Sequence, residues 1–568
     1  MTSPIPLAVA SIALGLAGIW QCTLTFGPPL GGRVTLRAEG ARWNATAGGH
    51  SATSPAAFPL RFRFPGGTRL AVRRLRGGLA GQWTQPPLVT SGEAFATPLA
   101  FAPAGRGVWV GTARPLPDVA HFFLAVRARP DGSVRAVLRN PEFNIGGPAV
   151  LTTDGDSVQL THGRRVVNGW RDPSGRELTL YLPGALADYA GPVRFTRVAE
   201  ENAVGYVARR GHGPYVYRVP ATIPDGWQTA SMQSVGLDPK PVVALVQSLL
   251  GESLDDVHAP YIQSLTIARH GKLVLDEYFF GSGRDRPHDV RSAGKSVTTL
   301  MVGRAMEDGA PFTPRSLVYP LFPQYAPFAH PDPRKARMRV ADLMTMSSGL
   351  ACDDDDDRSP GSEDTMQSQS RAPDWYKFTL DLPMAHDPGT ASIYCSAGIN
   401  LLGGVISGGS RASLVDAFYD RFAVPLQFRQ YGMFVTPPPR SVAYMGGGDY
   451  FVPRDFLKFG ELFLDRGHWN GTRVIDPSWL RAVSMRRTTV RGELGEYGYG
   501  WHLYEYQVRG RTIRAISAGG NGGQLLFVFP QLDMTVLIMA ANYGDYLRGW
   551  KQFIERIVPR NILPAALH

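Results

Sequence analysis

A change of pattern near residue 220 constrains the fold of this chain more than any other feature. From about residue 30 to residue 220, apolar and polar residues alternate in short runs that Gly, Pro and Asp interrupt, a pattern typical of short antiparallel strands. Further along, strand-like runs at 262–281 and 524–543 enclose helical stretches. Strands at both ends of a domain with helices between them indicate one antiparallel sheet covered by helices.

The sequence therefore predicts an α+β fold with two folded parts. An all-β N-terminal domain, a barrel or a sandwich, is expected at residues 30–220, followed by a polar linker at 221–240 and a helix-covered sheet domain at 241–560. A chain of 568 residues is long enough for two or three hydrophobic cores.

The basic charge of the chain does not indicate a nucleic-acid partner. The formal net charge is +11, but the basic residues are spread along the chain and form no block. We find no finger, RNA-binding or phosphate-loop signature, so no nucleic acid is expected as a partner.

Residues 1–22 contain an apolar run, 5–18, of the length of a signal-peptide core and short for a membrane span. The segment predicts export, with a periplasmic or secreted location. It lacks a basic start, so a simple membrane tether, a mis-set start codon and a cytoplasmic location stay open as alternatives.

The cysteines and a run of aspartates suggest no metal site. The three cysteines form no C-x-x-C pair, which argues against a zinc site and a disulfide framework, and Cys395 is interpreted as a small buried thiol. The run 353–357 lacks the spacing of a calcium loop and is interpreted as a solvated loop. If the run borders a catalytic cleft, it would favour cationic substrates.

Ser292 and Lys295 form the first candidate catalytic pair. Apolar residues at helical spacing follow Ser292, and residues three apart on a helix lie on one face, so the lysine can approach the serine hydroxyl. A serine needs such a neighbouring base to become a nucleophile. The alternative is that Ser292 is an ordinary helix cap and Lys295 a solvated lysine.

Two later stretches supply what such a nucleophile needs. Tyr394 and Ser396 form a Tyr-x-Ser motif, and the tyrosine is a candidate second base. The glycine-rich run at 517–524 opens the last predicted strand pair, and its N–H groups can hold an oxyanion.

These three motifs, in this order, resemble those of the serine β-lactamase and penicillin-binding-protein superfamily. The resemblance covers roughly residues 235–560 and is strongest to the class C-like hydrolases, which include family VIII esterases, D-aminopeptidases and 6-aminohexanoate-dimer hydrolases. The stretches "ADLMTMSSGL" at 341–350 and "YGYGWHL" at 497–503 are also similar to that branch. The resemblance implies that the second domain is a β-lactamase-like sheet sandwiched by helices.

The resemblance also implies roles for individual residues. Ser292 would be acylated, Lys295 would lower the pKa of its neighbours and share the proton, and Tyr394 would deprotonate Ser292 and later the water. Ser396, Gly519, Gly520 and Asn521 would contact the substrate, with an oxyanion N–H from the strand near Gly520 or Asn521. No metal or cofactor is implied.

Two departures from the family pattern bear on the substrate. Ser396 stands where Asn is common, and Ser517 or Ala518 stands where a Lys or His usually precedes the glycine. That cation would hold a substrate carboxylate, so its absence favours esters, amides or short peptides without that anchor.

The sequence predicts a serine hydrolase that cleaves an ester or amide bond through an acyl-enzyme on Ser292. The alternatives are an inactive β-lactamase-fold binding protein and a D-amino-acid-specific peptidase or β-lactamase.

Overall fold

The computed structural model of the chain describes residues 15–27, 29–129, 133–142, 145–211, 213–369, 373–409, 412–438 and 440–567. The strands of the N-terminal half are β1 (Gly18–Thr25), β2 (Gly32–Glu39), β3 (Arg42–Ala47), β4 (His50–Pro55), β5 (Leu60–Arg63), β6 (Arg69–Leu75), β7 (Gly78–Thr84), β8 (Ala94–Gly105), β9 (Val108–Ala113), β10 (Val119–Ala128), β11 (Val134–Asn140), β12 (Ile145–Asp154), β13 (Ser157–His162), β14 (Arg165–Arg171), β15 (Glu177–Tyr181) and β16 (Pro192–Val198).

A closed barrel forms the first part of this half. Its strand order is β1-β10-β11-β12-β13-β14-β15-β16, and β1 closes it by pairing with both β10 and β16. Inward-facing apolar side chains that alternate along the strands, such as Phe122, Leu124 and Val126 of β10, fill its core. Strand β1 includes the last residues of the apolar segment predicted as a leader or tether, while residues 1–14 lie outside the described residues.

Strands β2–β9 form a second β unit that is inserted between β1 and β10 of the barrel. The long strand β8 pairs with β7 and β9 and also, through residues 94–96, with a strand of the C-terminal half. The N-terminal half is therefore all-β, as predicted, but it joins the second domain through a shared sheet.

The later strands are β17 (Gln228–Thr229), β18 (Ile262–Arg269), β19 (Lys272–Tyr278), β20 (His288–Asp289), β21 (Tyr431–Val435), β22 (Tyr450–Phe451), β23 (His468–Trp469), β24 (Thr472–Arg473), β25 (Glu496–Tyr497), β26 (His502–Val508), β27 (Arg511–Gly520), β28 (Gln524–Phe529) and β29 (Met534–Ala540). The helices are α1 (Pro239–Leu250), α2 (Gly294–Glu307), α3 (Val340–Met344), α4 (Glu363–Gln367), α5 (Trp375–Asp381), α6 (Ser396–Gly408), α7 (Leu414–Phe418), α8 (Pro453–Leu464) and α9 (Pro477–Val483), followed by π-helical segments Tyr546–Trp550 and Phe553–Ile562.

The central sheet has the order β17-β19-β18-β29-β28-β27-β26-β25, so its strands come from both ends of the domain. Side chains of β29 alternate between two cores, because successive residues of a strand point to opposite faces. Val536 and Ile538 pack with α1 and the segment 553–562, whereas Leu537 and Met539 pack with α2 and α8. The predicted α+β architecture, an antiparallel sheet between helices after an all-β part, is confirmed.

The stretch predicted as a linker at 221–240 is packed against the second domain. Strand β17 adds to the edge of the central sheet by pairing with β19, and Trp227 is buried with its indole N–H donating to the Arg454 carbonyl at 2.9 Å. Asp225 is fully buried in an ion pair with Arg454. Polar composition alone did not reveal these contacts.

Cys352 and Cys395 form a disulfide that the sequence analysis did not predict. The interpretation of Cys395 as a free buried thiol is therefore wrong, while Cys22 is a buried free cysteine. The paired cysteines lie on either side of two helices, α4 and α5, and no C-x-x-C pattern indicates the pairing.

Among the described residues, no helix is long and apolar enough to cross a membrane.

Candidate active site

Ser292 lies in the short turn between strand β20 and helix α2. A 3-10 turn at Arg291–Ala293 leads into the helix, and Arg291 adopts a positive φ of 48°. Ala293, not Ser292, is the N-cap of α2, and no side chain caps the helix. The interpretation of Ser292 as a helix cap is therefore wrong.

Lys295 lies on the first turn of α2 and points at Ser292. Its Nζ donates to the Ser292 Oγ at 2.8 Å and to the Gly446 carbonyl at 2.6 Å. The lysine is only 1% exposed, and this burial lowers its pKa because a charged ammonium loses its hydration. Nearby Glu363 and Asp354 act in the opposite direction.

Tyr394 completes a triad of side chains with Ser292 and Lys295. The Lys295 Nζ lies 5.0 Å from the centre of the tyrosine ring. Burial raises the pKa of Tyr394 well above its usual value, and a hydrogen bond with Ser292 opposes this shift. The three residues predicted from the motifs are thus in mutual contact.

Asp354 holds the segment that carries Tyr394 in place. Its carboxylate accepts from the backbone N–H of Ser396 at 2.7 Å and of Glu363 at 2.9 Å, and its own N–H donates to the Tyr394 carbonyl at 3.0 Å. Burial raises the pKa of Asp354 to about 6, with Glu363 adding to the shift. Ser396 is fully buried at the start of α6 and is not among the residues that line the cleft.

The end of strand β27 lies directly against the turn Arg291–Ala293, which carries Ser292 and is called the nucleophile turn after the role predicted for that serine. A Cβ on Gly520 would lie 2.5 Å from the Val290 carbonyl oxygen and 3.1 Å from the Ser292 nitrogen, so only glycine fits there. Gly519, Gly520 and Asn521 all line the cleft that contains Ser292. The predicted glycine-rich strand is therefore at the site.

The cleft has a volume of about 430 Å³ and is lined by six carboxylates. Three come from the aspartate run, which lies beside the cleft. The carboxylates are Asp354, Asp355, Asp357, Glu363, Asp364 and Glu493. Among the described residues that line this cavity there is no Arg or Lys. Within the described chain, no group of three or more His, Cys, Asp or Glu residues is placed to hold a metal ion.

Two residues that line the cleft, His502 and Glu493, were missed by motif analysis. His502 on β26 pairs with Ser517 of β27, and a Cβ on Gly519 would lie 3.3 Å from its ring. Burial lowers the pKa of His502 to about 4, so the ring is neutral at pH 7. Burial raises the pKa of Glu493 to about 7, with Asp355 adding to the shift. The stretch 497–503 contained His502, but no motif marks its role.

The helix-covered antiparallel sheet with Ser292 in its cleft points to the class of β-lactamase-type serine hydrolases. In agreement, the beta-lactamase family model matches residues 255–550, just over half of the 568 residues, and the chain belongs to this family. The chain is an enzyme of the β-lactamase-related serine hydrolases.

Individual proteins that resemble the chain share low sequence identity with it. The chain is 24% identical over 332 residues to the 6-aminohexanoate-dimer hydrolase of Paenarthrobacter ureafaciens. The aligned region covers 55% of this chain and 81% of that protein. Among solved structures, a family VIII carboxylesterase aligns at 16% identity and a TM-score of 0.43, over 61% of this chain and 99% of the other. EstCE1, a hydrolase with promiscuous acyltransferase activity, aligns at 16% identity and a TM-score of 0.44, over 58% and 99%.

Proposed function

We propose that the protein hydrolyses an ester or amide bond of a small molecule or short peptide through an acyl-enzyme on Ser292. The observation that carries this proposal is the hydrogen bond from Lys295 Nζ to Ser292 Oγ at 2.8 Å, at the base of a cleft. An unactivated serine is a weak nucleophile, and a buried amine in hydrogen-bond contact supplies the missing base.

Lys295 is the proposed acceptor of the Ser292 proton. Burial lowers its pKa and so increases the fraction of neutral amine, the form that can take the proton as the Ser292 Oγ forms its bond to the substrate carbonyl carbon. Tyr394 has a raised pKa and so stays a neutral phenol in the resting enzyme. This assignment differs from the role implied by the family resemblance, in which the tyrosine is the first base.

Tyr394 is then the proposed proton donor to the leaving group. When the carbonyl–leaving group bond breaks, the phenol O–H gives its proton to the departing oxygen or nitrogen, and the Lys295 ammonium restores the phenol. In deacylation a water gives its proton to the same pair while its oxygen attacks the acyl carbon. Ser292 then recovers its proton, so acids and bases return to their starting states.

The backbone N–H of Ser292 and an N–H at Gly520 or Asn521 are the proposed oxyanion donors. The close approach of Gly520 to the Ser292 nitrogen supports this role, because both donors must face one oxygen. Removal of one such donor typically costs about 10² to 10³ in rate.

The charge of the cleft argues against substrates that are held by a carboxylate. Six carboxylates line it, and no Arg or Lys lines it among the described residues. His502 lines the cleft beside the glycine-rich strand, but burial lowers its pKa to about 4 and leaves the ring neutral at pH 7. A β-lactam or a peptide C-terminus would be repelled, so the β-lactamase and D-peptidase alternatives are disfavoured.

We also propose that the protein is exported. The Cys352–Cys395 disulfide supports this because such bonds persist in oxidising compartments and are rare in a reducing cytosol. Thiol labelling of the unfolded protein after expression with and without an export signal tests the idea. Cys352 and Cys395 should resist thiol labelling only in the exported form, because only there are their thiols joined in the disulfide.

A substrate panel tests the proposed reaction. The wild type should hydrolyse p-nitrophenyl acetate and butyrate, and Ser292→Ala should not. Ser248→Ala, on the exposed face of α1, is the matched control and should keep full activity. No turnover of any ester or amide by the wild type would favour the inactive binding protein instead.

A further inference from the structure

Arg291, the residue before Ser292, has a guanidinium group that the proposed reaction does not use. Its backbone lies in the left-handed region with a φ of 48°, a conformation that costs energy for any residue with a side chain. Contacts with the surrounding structure must therefore hold it there. These contacts also fix the direction of a proposed oxyanion donor, because the Ser292 N–H belongs to the peptide bond between the two residues.

One carboxylate contacts both the backbone and the side chain of Arg291. The Asp289 Oδ1 accepts from the Arg291 backbone N–H at 2.7 Å, and the Asp289 Oδ2 lies 2.8 Å from the guanidinium Nε. The side chain of Asp289 is only 5% exposed, so salt and water screen this ion pair weakly. Asp289 therefore fixes the guanidinium group relative to the backbone that carries Ser292.

The guanidinium group of Arg291 also lies over the ring of Tyr543, in the loop after β29. Its Cζ is 5.0 Å from the ring centre, and cation–π attraction favours this arrangement. The same ring, which is buried, packs against Gly522 in the turn between β27 and β28. A Cβ on Gly522 would lie 2.5 Å from the ring, so glycine permits this approach. Tyr543 therefore connects Arg291 to the end of the glycine-rich strand.

Two hydrogen bonds strengthen the connection between this loop and the strand. The N–H of Asn542 donates to the Gly522 carbonyl at 3.1 Å, and the N–H of Gly544 donates to the Asn521 Oδ1 at 2.8 Å. Asn521 lines the cleft and is one of the two candidates for the second oxyanion donor. The residues on either side of Tyr543 are thus bonded to the segment that contains this donor.

The proposed oxyanion hole depends on the distance between two segments that are far apart in the chain. Its donors are the Ser292 N–H and an N–H at Gly520 or Asn521, and a displacement of about 1 Å between such groups can cost about 10²-fold in rate. The close approach of Gly520 to the nucleophile turn is one restraint on this distance. The contact between Arg291 and Tyr543 is a second.

We propose that Arg291 is a positioning residue, which holds the Ser292 N–H opposite the end of the glycine-rich strand through its contact with Tyr543. The inference rests on the proposed hydrolase function and adds a residue to that site. Arg291 is not among the described residues that line the cleft, so it acts through the nucleophile turn and does not touch the substrate.

The experiment breaks the contact from each side. Arg291→Met keeps an unbranched side chain without the guanidinium group, and Tyr543→Leu removes the aromatic ring. With p-nitrophenyl butyrate, each variant should lower kcat about 10²-fold and change KM less than about threefold, because only the transition state needs the aligned donors. Arg291→Lys keeps a cation that can lie over the ring, so it should regain about tenfold of the lost kcat.

A double variant and a matched control separate positioning from a general loss of structure. Arg291→Met/Tyr543→Leu should be no slower than the slower single variant, since all three lack the same contact. Arg304→Met is the control, because Arg304 lies in the last turn of α2, forms ion pairs with Glu307 and Asp308, and does not line the cleft. Its kcat should equal that of the wild type.

Hydrogen–deuterium exchange in the Ser292→Ala background gives a readout that needs no turnover. Peptides that contain Asn542 and Gly544 should exchange faster when Arg291→Met is added, because the loop then loses its contact with the nucleophile turn. Peptides of the barrel strands should exchange as before. If Arg291→Met does not fold, Tyr543→Leu repeats both measurements from the other side of the contact.

Full kcat in Arg291→Met, or losses that add in the double variant, would overturn the inference. Unchanged exchange at Asn542 and Gly544 in Ser292→Ala/Arg291→Met would also overturn it. A wild type that turns over no ester, together with faster exchange at these residues in that variant, would reject the hydrolase proposal and support the contact as the restraint on the strand.

Discussion

Lys295 Nζ lies 2.8 Å from Ser292 Oγ, and the lysine is almost completely buried. The geometry places a buried amine with a lowered pKa against the Ser292 hydroxyl. Because Asp354 and Glu493 also act on this amine, the walls of the cleft help to set the pH at which it can accept a proton.

The lowered pKa of Lys295 predicts the pH dependence of acylation. The rate should rise with pH as the ammonium loses its proton, with a midpoint below the usual lysine value of 10.5. Glu493 raises the pKa of Lys295, so Glu493→Gln should move this midpoint to lower pH. Stopped-flow bursts of p-nitrophenol release measure the profile.

Substitution of the base gives the matching control. Lys295→Arg keeps a positive charge that cannot be lost, so above the wild-type midpoint acylation should fall about 10²- to 10⁴-fold and should no longer rise with pH. Lys272→Arg, at an exposed position of β19, should behave as the wild type. An acid limb that persists unchanged in Lys295→Arg would contradict the assignment of the base.

The role of Tyr394 predicts an effect that depends on the leaving group. Tyr394→Phe removes the proposed proton donor, so poor leaving groups such as alkyl alcohols or amines should lose about 10²- to 10⁴-fold in kcat. p-Nitrophenol leaves without a proton, and acylation by its esters should lose much less. An equal loss for both classes would point to a role in deprotonating Ser292, as implied by the family resemblance.

Gly520 should not tolerate a side chain. The Cβ of Gly520→Ala would meet the Val290 carbonyl and the Ser292 nitrogen, which would push the strand away from the nucleophile turn. We expect kcat to fall by about 10² or more, as for loss of an oxyanion donor, with the far-UV circular dichroism unchanged. Gly519→Ala, whose Cβ would meet first the His502 ring and then the Leu525 side chain rather than backbone atoms, should be milder.

Phe95 connects the N-terminal half to the active site. It pairs with Phe434 across β8 and β21, and its ring also packs against Tyr450 of β22, which pairs with Asp289 just before the nucleophile turn. Phe95→Ala should cost about 3–5 kcal/mol in unfolding free energy and lower kcat as well. Urea unfolding and initial rates measure the two effects.

Phe122 provides the comparison for Phe95, since it is buried in the barrel core against Phe195. Phe122→Ala should cost a similar free energy but leave kcat unchanged. If both variants keep full kcat, the shared sheet is a structural junction without influence on catalysis.

The continuous sheet also predicts that deletion of residues 1–220 exposes the β21 edge and yields an aggregating chain.

The Cys352–Cys395 disulfide should stabilise both the fold and the site. It closes a loop of 43 residues, and chain entropy predicts a contribution of about 4 kcal/mol for a loop of this size. Because Cys395 follows Tyr394, the Cys352→Ser/Cys395→Ser variant should lose activity together with stability. Thermal unfolding with and without reductant, with Cys22→Ser as the control, measures the effect.

The contact between Ser292 and Lys295 could be predicted from sequence because the two residues are close together in the chain. Ser292 lies in the 3-10 turn before α2 and Lys295 on the first turn of that helix, so a spacing of three residues still brings the two side chains together. Tyr394 required the family pattern, since its approach to the pair depends on how distant segments pack. The all-β and α+β halves followed from the periodicity of apolar residues.

Other features depend on long-range packing that leaves no local signal. Strand β8 pairs with β21 although the two strands are far apart in the chain, and nothing in either sequence indicates this pairing. Cys352 and Cys395 lie in separate loops without a shared spacing.

The covalent step on Ser292 is the central claim, and intact-protein mass spectrometry tests it most directly. After brief incubation with p-nitrophenyl butyrate and acid quenching, the wild type should carry one butyryl group, which peptide mapping places on Ser292. Ser292→Ala should show neither the adduct nor turnover. An adduct on another residue, or hydrolysis that persists in Ser292→Ala, would contradict the account.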